Sequence, residues 1–338
     1  MTRRPNIRDV AETAGVSVGT VSHALNHPER VSPTTLDRIT QAIDDLGFVR
    51  NATARQLRRG SSPTVGVIVT EISNPFFVEA AEAMERRIRD EECLMMLAST
   101  HGDPTTEARL LRHYQEQNVR GVLLTPVDDD ISAAEELVAA GIPVVLFDDR
   151  HGSDLVSSVA SDDVDGAASA VGHLLDLGHR RIGFLNGPPE IHQARDRLTG
   201  AREAYVRRGL DPDRDGLQVV HLPRFDADAG AAGTARLLRS GGEPCTAVFC
   251  ANDLMAVGAY RMLAQHDVAV PEQMSVVGYD DITLAAQLNV PLTTVRQPMD
   301  RIGWTAADLL FRGEDRTTHL LFQPELVIRT STAAVRGQ

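Results

Sequence analysis

The stretch IRDVAETAGVSVGTVSHALN, residues 7–26, decides the fold of the N-terminus. Asn6 stands before it as a helix cap, and Asp9 lies where the positive end of a helix favours an acid. Val10, Ala11 and Ala14 recur at helical spacing, and Gly15 then stops the helix. Ser17 caps a second helix, on which Val21, Ala24 and Leu25 face inward while Val18, Gly19, Ser22 and His23 face out. Ser32-Pro33 opens a third helix, with Pro33 at the first helical position, where its missing N–H costs nothing. Ile39, Ala42, Ile43 and Leu46 line its buried face up to Gly47. Periodicity alone fits any small helical bundle. The tight Gly15-Val16 turn between two short helices, braced by a third, also fits a helix-turn-helix that offers its second helix to a major groove.

Charge points the same way. Residues 1–60 hold nine arginines against six acids, a net of +3, so residues 61–338 carry −16 of the total −13. A basic head on an acidic body suggests that the head alone meets a polyanion. The 338 residues are 42% hydrophobic and 24% charged, a composition that predicts two or three compact units. Nothing approaches the ~20 consecutive apolar residues of a membrane span. Met1 to Val10 is polar, unlike a secretory leader. Cys93, Cys245 and Cys250 are too few and too irregular for a disulfide framework or a zinc site, so a reducing cytoplasm is the expected location.

The literal residues narrow the choice. Ile7-Arg8-Asp9-Val10-Ala11, Ala14-Gly15-Val16-Ser17, Thr20-Val21-Ser22 and Leu25-Asn26 follow one another at the spacing of the lactose-repressor (LacI) family. The resemblance continues through Val31-Ser32, Leu46-Gly47-Phe48 and Asn51-Ala52-Thr53-Ala54-Arg55. It implies DNA contacts by Val18, Gly19, Thr20, Ser22, His23 and Asn26 on the second helix, with His23 the main polar base reader. It also implies a hinge helix over Asn51–Arg58, within a hinge-and-linker segment 51–62, that folds in the minor groove, with Asn51, Ala54 and Arg55 at the DNA and Leu57 wedged into the central base step. By length alone such a two-turn helix is marginal in water and orders only when something holds it. Arg50 stands where the family usually has proline, which trades rigidity for a phosphate contact.

After Gly60-Ser61-Ser62-Pro63 short apolar runs alternate with amphipathic stretches. Strands are predicted at Val65–Val69, Leu94–Ala98, Gly121–Leu124 and Val144–Phe147, then at Ile182–Leu185, Gln218–His221, Ala247–Cys250 and Ser275–Gly278. Strands separated by helices imply parallel, doubly wound sheets, and two such series imply two similar lobes. Ligands of such sheets bind beyond the carboxyl ends of the strands. Asn74, Phe76, Phe77, Asp148, Asp149, Asn252 and Asp280 follow strands there, Gln297 follows a run around Thr294-Val295, and Arg197 lies nearby. Carboxylates, amides, a guanidinium and apolar faces together suit a polyhydroxylated ligand. Singly, loop aspartates cap helices and loop asparagines make turns.

The body resembles the periplasmic sugar-binding-protein fold of the LacI core. By that resemblance the effector contacts are Asn74, Phe76, Phe77, Asp148, Arg197, Phe225, Asn252, Asp280 and Gln297. Asp149 departs from ribose-type members, which have arginine directly after the strand-end aspartate, and this puts ribose in doubt but not a sugar. A nucleobase or nucleoside is the competing effector; it wants flat stacking and fewer carboxylates than Asp148 with Asp280 supply. An enzyme is disfavoured, since no Gly-x-Ser-x-Gly elbow, phosphate loop or His/Glu metal spacing occurs. No cofactor, metal or catalytic residue is expected.

The fold class expected is therefore a small all-α helix-turn-helix head plus hinge helix, followed by an α/β core of two doubly wound parallel-sheet lobes. The boundaries are 1–50, 51–62 and 63–335, with a first lobe of about 63–160 plus 292–320 and a second of about 161–290 plus 321–332. The chain reads as a cytoplasmic, nucleoid-associated homodimer that binds a near-palindromic duplex operator under control of a small sugar, without membrane contact. No leucine-heptad tail after Arg329 favours a dimer over a tetramer.

Overall fold

The computed structural model describes residues 5–48, 62–241, 243–313 and 316–335. Arg50, Asn51, Ala54, Arg55 and Leu57, and with them the hinge helix, lie outside the described residues. The chain forms two compact units, residues 1–61 and 62–338.

The first unit holds α1 (Ile7–Ala14), α2 (Val18–Asn26) and α3 (Pro33–Leu46). Asn6 and Asp9 form a reciprocal capping box: Asn6 Oδ1 accepts from the Arg8 amide at 2.8 Å, and Asp9 Oδ2 from the Asn6 amide at 2.7 Å. Ser17 Oγ caps α2 through the Thr20 amide at 3.0 Å. Gly15 ends α1 in the left-handed conformation that glycine takes without strain. Arg38 of α3 reaches back and donates to the Ala14 and Gly15 carbonyls, tying the third helix to the turn. Val10, Ala11, Ala14, Val21, Ala24, Ile39 and Ala42 are buried together, and Leu25, Ile43 and Leu46 pack half-buried at their edge.

The second unit contains two six-stranded sheets. The first sheet is built from β1 (Thr64–Val69), β2 (Leu94–Ser99), β3 (Gly121–Leu124), β4 (Val144–Phe147), β5 (Ser157–Ser161) and β11 (His319–Phe322). Its order is β11-β5-β4-β3-β1-β2, all parallel. The second comprises β6 (Ile182–Asn186), β7 (Leu217–His221), β8 (Ala247–Cys250), β9 (Ser275–Asp280), β10 (Thr293–Arg296) and β12 (Glu325–Val327). Its order is β12-β10-β9-β8-β6-β7, parallel except for β12. The apolar runs of the central strands β1, β3, β4, β6, β8 and β9 are buried on both faces, as crossover helices on both sides require.

The helices between them are α4 (Pro75–Asp90), α5 (Pro104–Glu116), α6 (Ser132–Ala139), α7 (Asp163–Asp176), α8 (His192–Val206), α9 (Pro212–Asp215), α10 (Ala227–Arg239), α11 (Asp253–Gln265) and α12 (Met299–Arg312). The chain passes between lobes after β5, after β10 and between β11 and β12. A boundary at 292 is therefore too early: β10 stays in the second sheet, paired with β9, and the chain crosses only after Arg296. Beyond that crossing α12 returns to the first lobe, where Ile302, Ala306 and Leu310 join its core. Gly303 permits that approach, since a Cβ there would stand 2.3 Å from the Ala80 carbonyl of α4.

One edge of the first lobe is unusual. Edge strand β2 leaves Leu94, Met96 and Leu97 exposed, next in the chain to α4 with exposed Val78. No described helix is long and apolar enough to cross a membrane.

Candidate functional site

The outer side of α2 is as the sequence places it. Val18, Gly19, His23 and Asn26 are exposed, and Thr20 and Ser22 half-exposed. Two of these side chains also serve their own helix. Thr20 Oγ1 lies 2.8 Å from the capping Ser17 Oγ, and Asn26 Nδ2 donates to the Ser22 carbonyl at 2.6 Å. His23 has no hydrogen bond among the described residues and meets only the His27 ring, centroids 6.0 Å apart. It is the polar side chain on this face with nothing else to satisfy. His23→Ala is expected to relax base preference within a half-site at a cost of ~1–3 kcal/mol, with the salt dependence unchanged, because base contacts specify and phosphate contacts position. Selection from a randomised duplex library checks this; recovery of one site by both proteins would show that His23 reads nothing.

The second site lies where the two sheets present their carboxyl ends. Asp148 follows β4 with φ +57°, and Asp280 ends β9 with φ +107°. A non-glycine residue held there is strained, and such strain concentrates at functional sites. Both aspartates are buried, with Arg197, Gln297 and Asp163. Asp163 opens α7 immediately after the first crossing, and Gln297 sits in the second crossing. The cluster therefore straddles the connections on which lobe movement would turn.

Its bonds are specific. Arg197 Nε donates to Asp163 Oδ1 at 2.9 Å, one of its terminal nitrogens donates to the Ala251 carbonyl at 2.6 Å, and its plane lies 4.0 Å from the Tyr279 ring centroid. Gln297 Nε2 donates to Asp280 Oδ1 at 2.9 Å, while Gln297 Oε1 has no partner among the described residues. Across the cleft, Gln193 of the second lobe donates to Asp148 Oδ2 at 2.9 Å and to the Asp148 carbonyl at 2.8 Å. His192 Nε2–H donates to the same carbonyl at 3.0 Å. At the rim Arg195 of α8 grips both carboxylate oxygens of Asp129 on the first lobe at 2.7 Å each. The lobes are thus closed on one another.

Electrostatics follow from burial. Loss of water, then the charge of Asp163, holds the Asp148 carboxyl well above the usual range, with Arg197 pulling the other way. Burial also pushes Asp280 up to about 7 against the pull of Arg197 and Gln297. Asp253, under the same cluster, is raised by burial and by Asp280. Asp253 accepts from Thr294 Oγ1 at 2.6 Å and from the Ile282 amide at 2.9 Å.

The remaining expected contacts are placed differently. Asn74 Oδ1 caps α4 through the Phe76 amide at 3.1 Å. Phe76 and Phe77 belong to the first-lobe core, edge-to-face on each other and with Phe77 edge-to-face on Phe147. Asn252 is spent at both ends: Oδ1 caps α11 through the Met255 amide at 2.9 Å, and Nδ2 holds the Phe225 carbonyl at 3.0 Å. It positions Phe225, whose ring lies over Gly187 so closely that a Cβ there would fall 2.1 Å from it. Asp163, Gln193 and His192 join the site without having been singled out, and Tyr279 joins it beside Asp280. A carboxylate in the first turn of a helix reads as a cap, and α8 carries Gln193 across the cleft only once the lobes are assembled.

Comparison with known proteins bears on both sites. Residues 6–51 match the profile of bacterial regulatory proteins of the lacI family, and residues 171–332 that of a periplasmic binding protein-like domain. The chain is 33% identical over 330 residues to the HTH-type transcriptional repressor PurR of Photobacterium profundum, covering 96% of this chain and 98% of that one. It is 34% identical over 321 residues to the ribose operon repressor of Escherichia coli K12, covering 95% and 94%. Among solved structures, the lac repressor dimer bound to operator and an anti-inducer superposes with a TM-score of 0.83 at 28% identity, over 98% of this chain and 100% of the other. A transcriptional regulator CelR–cellobiose complex gives 0.72 at 31% identity, over 97% and 100%.

Proposed function

The chain belongs to the lactose-repressor (LacI) family of bacterial regulatory proteins, and on that basis we propose a cytoplasmic repressor whose operator affinity is set by a small sugar between its lobes. One observation carries the reading. A helix-turn-helix unit with an exposed α2 face shares its chain with a two-lobed unit that buries Asp148, Asp280 and Gln297 at its strand ends, with Arg197 reaching them from α8. The first recognises duplex DNA by shape and base edges, and the second is built for hydroxyl groups. The cellobiose complex of a similar protein supports a sugar effector, and two buried carboxyls, Asp148 and Asp280, favour it over a nucleobase.

The effector acts by preferring one arrangement of the lobes. It can shift operator affinity only by its differential affinity for the two arrangements, typically 1–3 kcal/mol. Homodimerisation is part of the proposal, since an edge strand with exposed Leu94, Met96 and Leu97 invites a partner surface. In this reading Asn51, Ala54, Arg55 and Leu57 meet the minor groove between two heads.

The test is selection of binding sites from a randomised duplex library by the full-length protein, followed by titration in salt. An inverted repeat is expected, because a two-fold dimer reads two related half-sites. Affinity should fall by orders of magnitude between ~50 and ~200 mM salt as counterions are released. A single asymmetric half-site, or binding indifferent to salt, would refute the proposal.

A further inference from the structure

The cleft buries more carboxyl groups than its one guanidinium can pair with. Asp148, Asp163 and Asp280 are each more than nine-tenths buried, and Arg197 is the cation that acts on them. Arg197 is already committed to Asp163, to the Ala251 carbonyl and to the Tyr279 face. Among the described residues neither Asp148 nor Asp280 forms an ion pair. Their side-chain donors are two carboxamides, Gln193 and Gln297. Arg150, the basic residue nearest in sequence to Asp148, points at Asp196 at 3.3 Å.

A second observation marks the same place as unfinished. Gln297 is 4% exposed, and its Oε1, beside the Asp280 that its Nε2 holds, has no partner among the described residues. A buried acceptor without a donor is costly, so an amide oxygen left open beside carboxylates asks for hydrogen-bond donors. Hydroxyls and ammonium groups supply them; phosphate and carboxylate groups supply acceptors and further negative charge.

Resting on the effector reading above, we infer that the cleft selects by charge: it admits a neutral or cationic polyol and rejects phosphate esters and sugar acids. An anion placed here would be stripped of water beside two carboxylates without a free cation to receive it. Burial, and after it the neighbouring carboxyls, raise Asp148 and Asp280, so a further anion beside them would have to share a site that already disfavours charge. The signal sensed is then the substrate of a sugar phosphorylation, not its product.

Matched pairs test this by thermal shift and calorimetry on the full-length protein. The pairs are ribose, glucose and cellobiose each with its phosphate monoester, glucose with gluconate, and adenosine with adenosine monophosphate. At least one neutral sugar should raise the melting temperature, and its phosphate ester should bind at least about a hundredfold more weakly. Asp148→Asn and Asp280→Asn, tested singly, should each narrow that ratio; a ratio unchanged in both variants overturns charge selection. An ester bound as tightly as its parent sugar overturns charge selection and leaves the cleft reading intact. Response to adenosine alone, with its monophosphate rejected, upholds charge selection and overturns the sugar. Silence of every compound overturns both.

Discussion

Arg197→Ala is expected to abolish the effector response and to lower the melting temperature of the second unit by roughly 10 °C. The side chain is not simply a ligand contact. It is 5% exposed, pairs with a carboxylate that is 6% exposed, and closes the Ala251 carbonyl at the end of β8. Removing one partner of a buried pair leaves an uncompensated charge, a loss of about 3–5 kcal/mol. Each kcal/mol moves the midpoint of a domain this large by about 2–4 °C. Arg197→Lys should rescue little, because a single ammonium cannot reproduce the fork that meets Asp163 and Ala251 together. A variant that melts within ~2 °C of wild type would show that the pair contributes nothing net.

Asp280→Asn makes the contrast. The Asp280 carboxyl is raised by burial to about 7, so folding favours its protonated form. Its ionisation therefore costs stability progressively as pH rises from the ordinary carboxyl range through 7. An asparagine avoids that cost and keeps an acceptor for Gln297. The asparagine variant should match wild type at low pH and equal or exceed it above neutrality. Scanning calorimetry across pH separates the two residues: Arg197 holds the lobe together, whereas Asp280 is kept at some expense to it.

How much of this was legible follows from locality. The buried central strands are short apolar runs bounded by turn residues, and β1, β3, β4, β6, β8 and β9 declare themselves that way. The strand β5 does not, because Ser157-Ser158-Val159-Ala160-Ser161 lacks the apolar density of its neighbours and owes its place to pairing with β4 and β11. Without a strand end before it, Asp163 carries no local signal that marks it as a site residue. The lobe that takes β10 is likewise decided by pairing with β9, a contact no local pattern contains. Strand-end reasoning found Asp148, Asp280 and Gln297 because it needs only the strand before them. Gln193 needed the second lobe closed on the first.

Ile39→Ala should abolish operator binding while leaving the second unit's melting and its ligand response unchanged. The core of the head is small. Four of its seven fully buried residues are alanines, and Val10, Val21 and Ile39 supply most of the apolar bulk. Ile39 is the largest of these and is 1% exposed on α3, the helix whose Arg38 also ties down the turn. Truncating a buried isoleucine to alanine costs about 2–5 kcal/mol, the loss of transferred surface plus the cavity left behind. Units of about 60 residues bury a smaller share of their surface than larger ones and have little stability in reserve. The same truncation in the second unit, with its several larger apolar clusters, would be absorbed. The two units have separate cores, so damage to one need not reach the other. Calorimetry should show loss of a transition assigned to the head beside an unshifted main one, and gel-shift titration should show no complex. Operator affinity within about threefold of wild type would mean that the head draws its stability from somewhere other than this core.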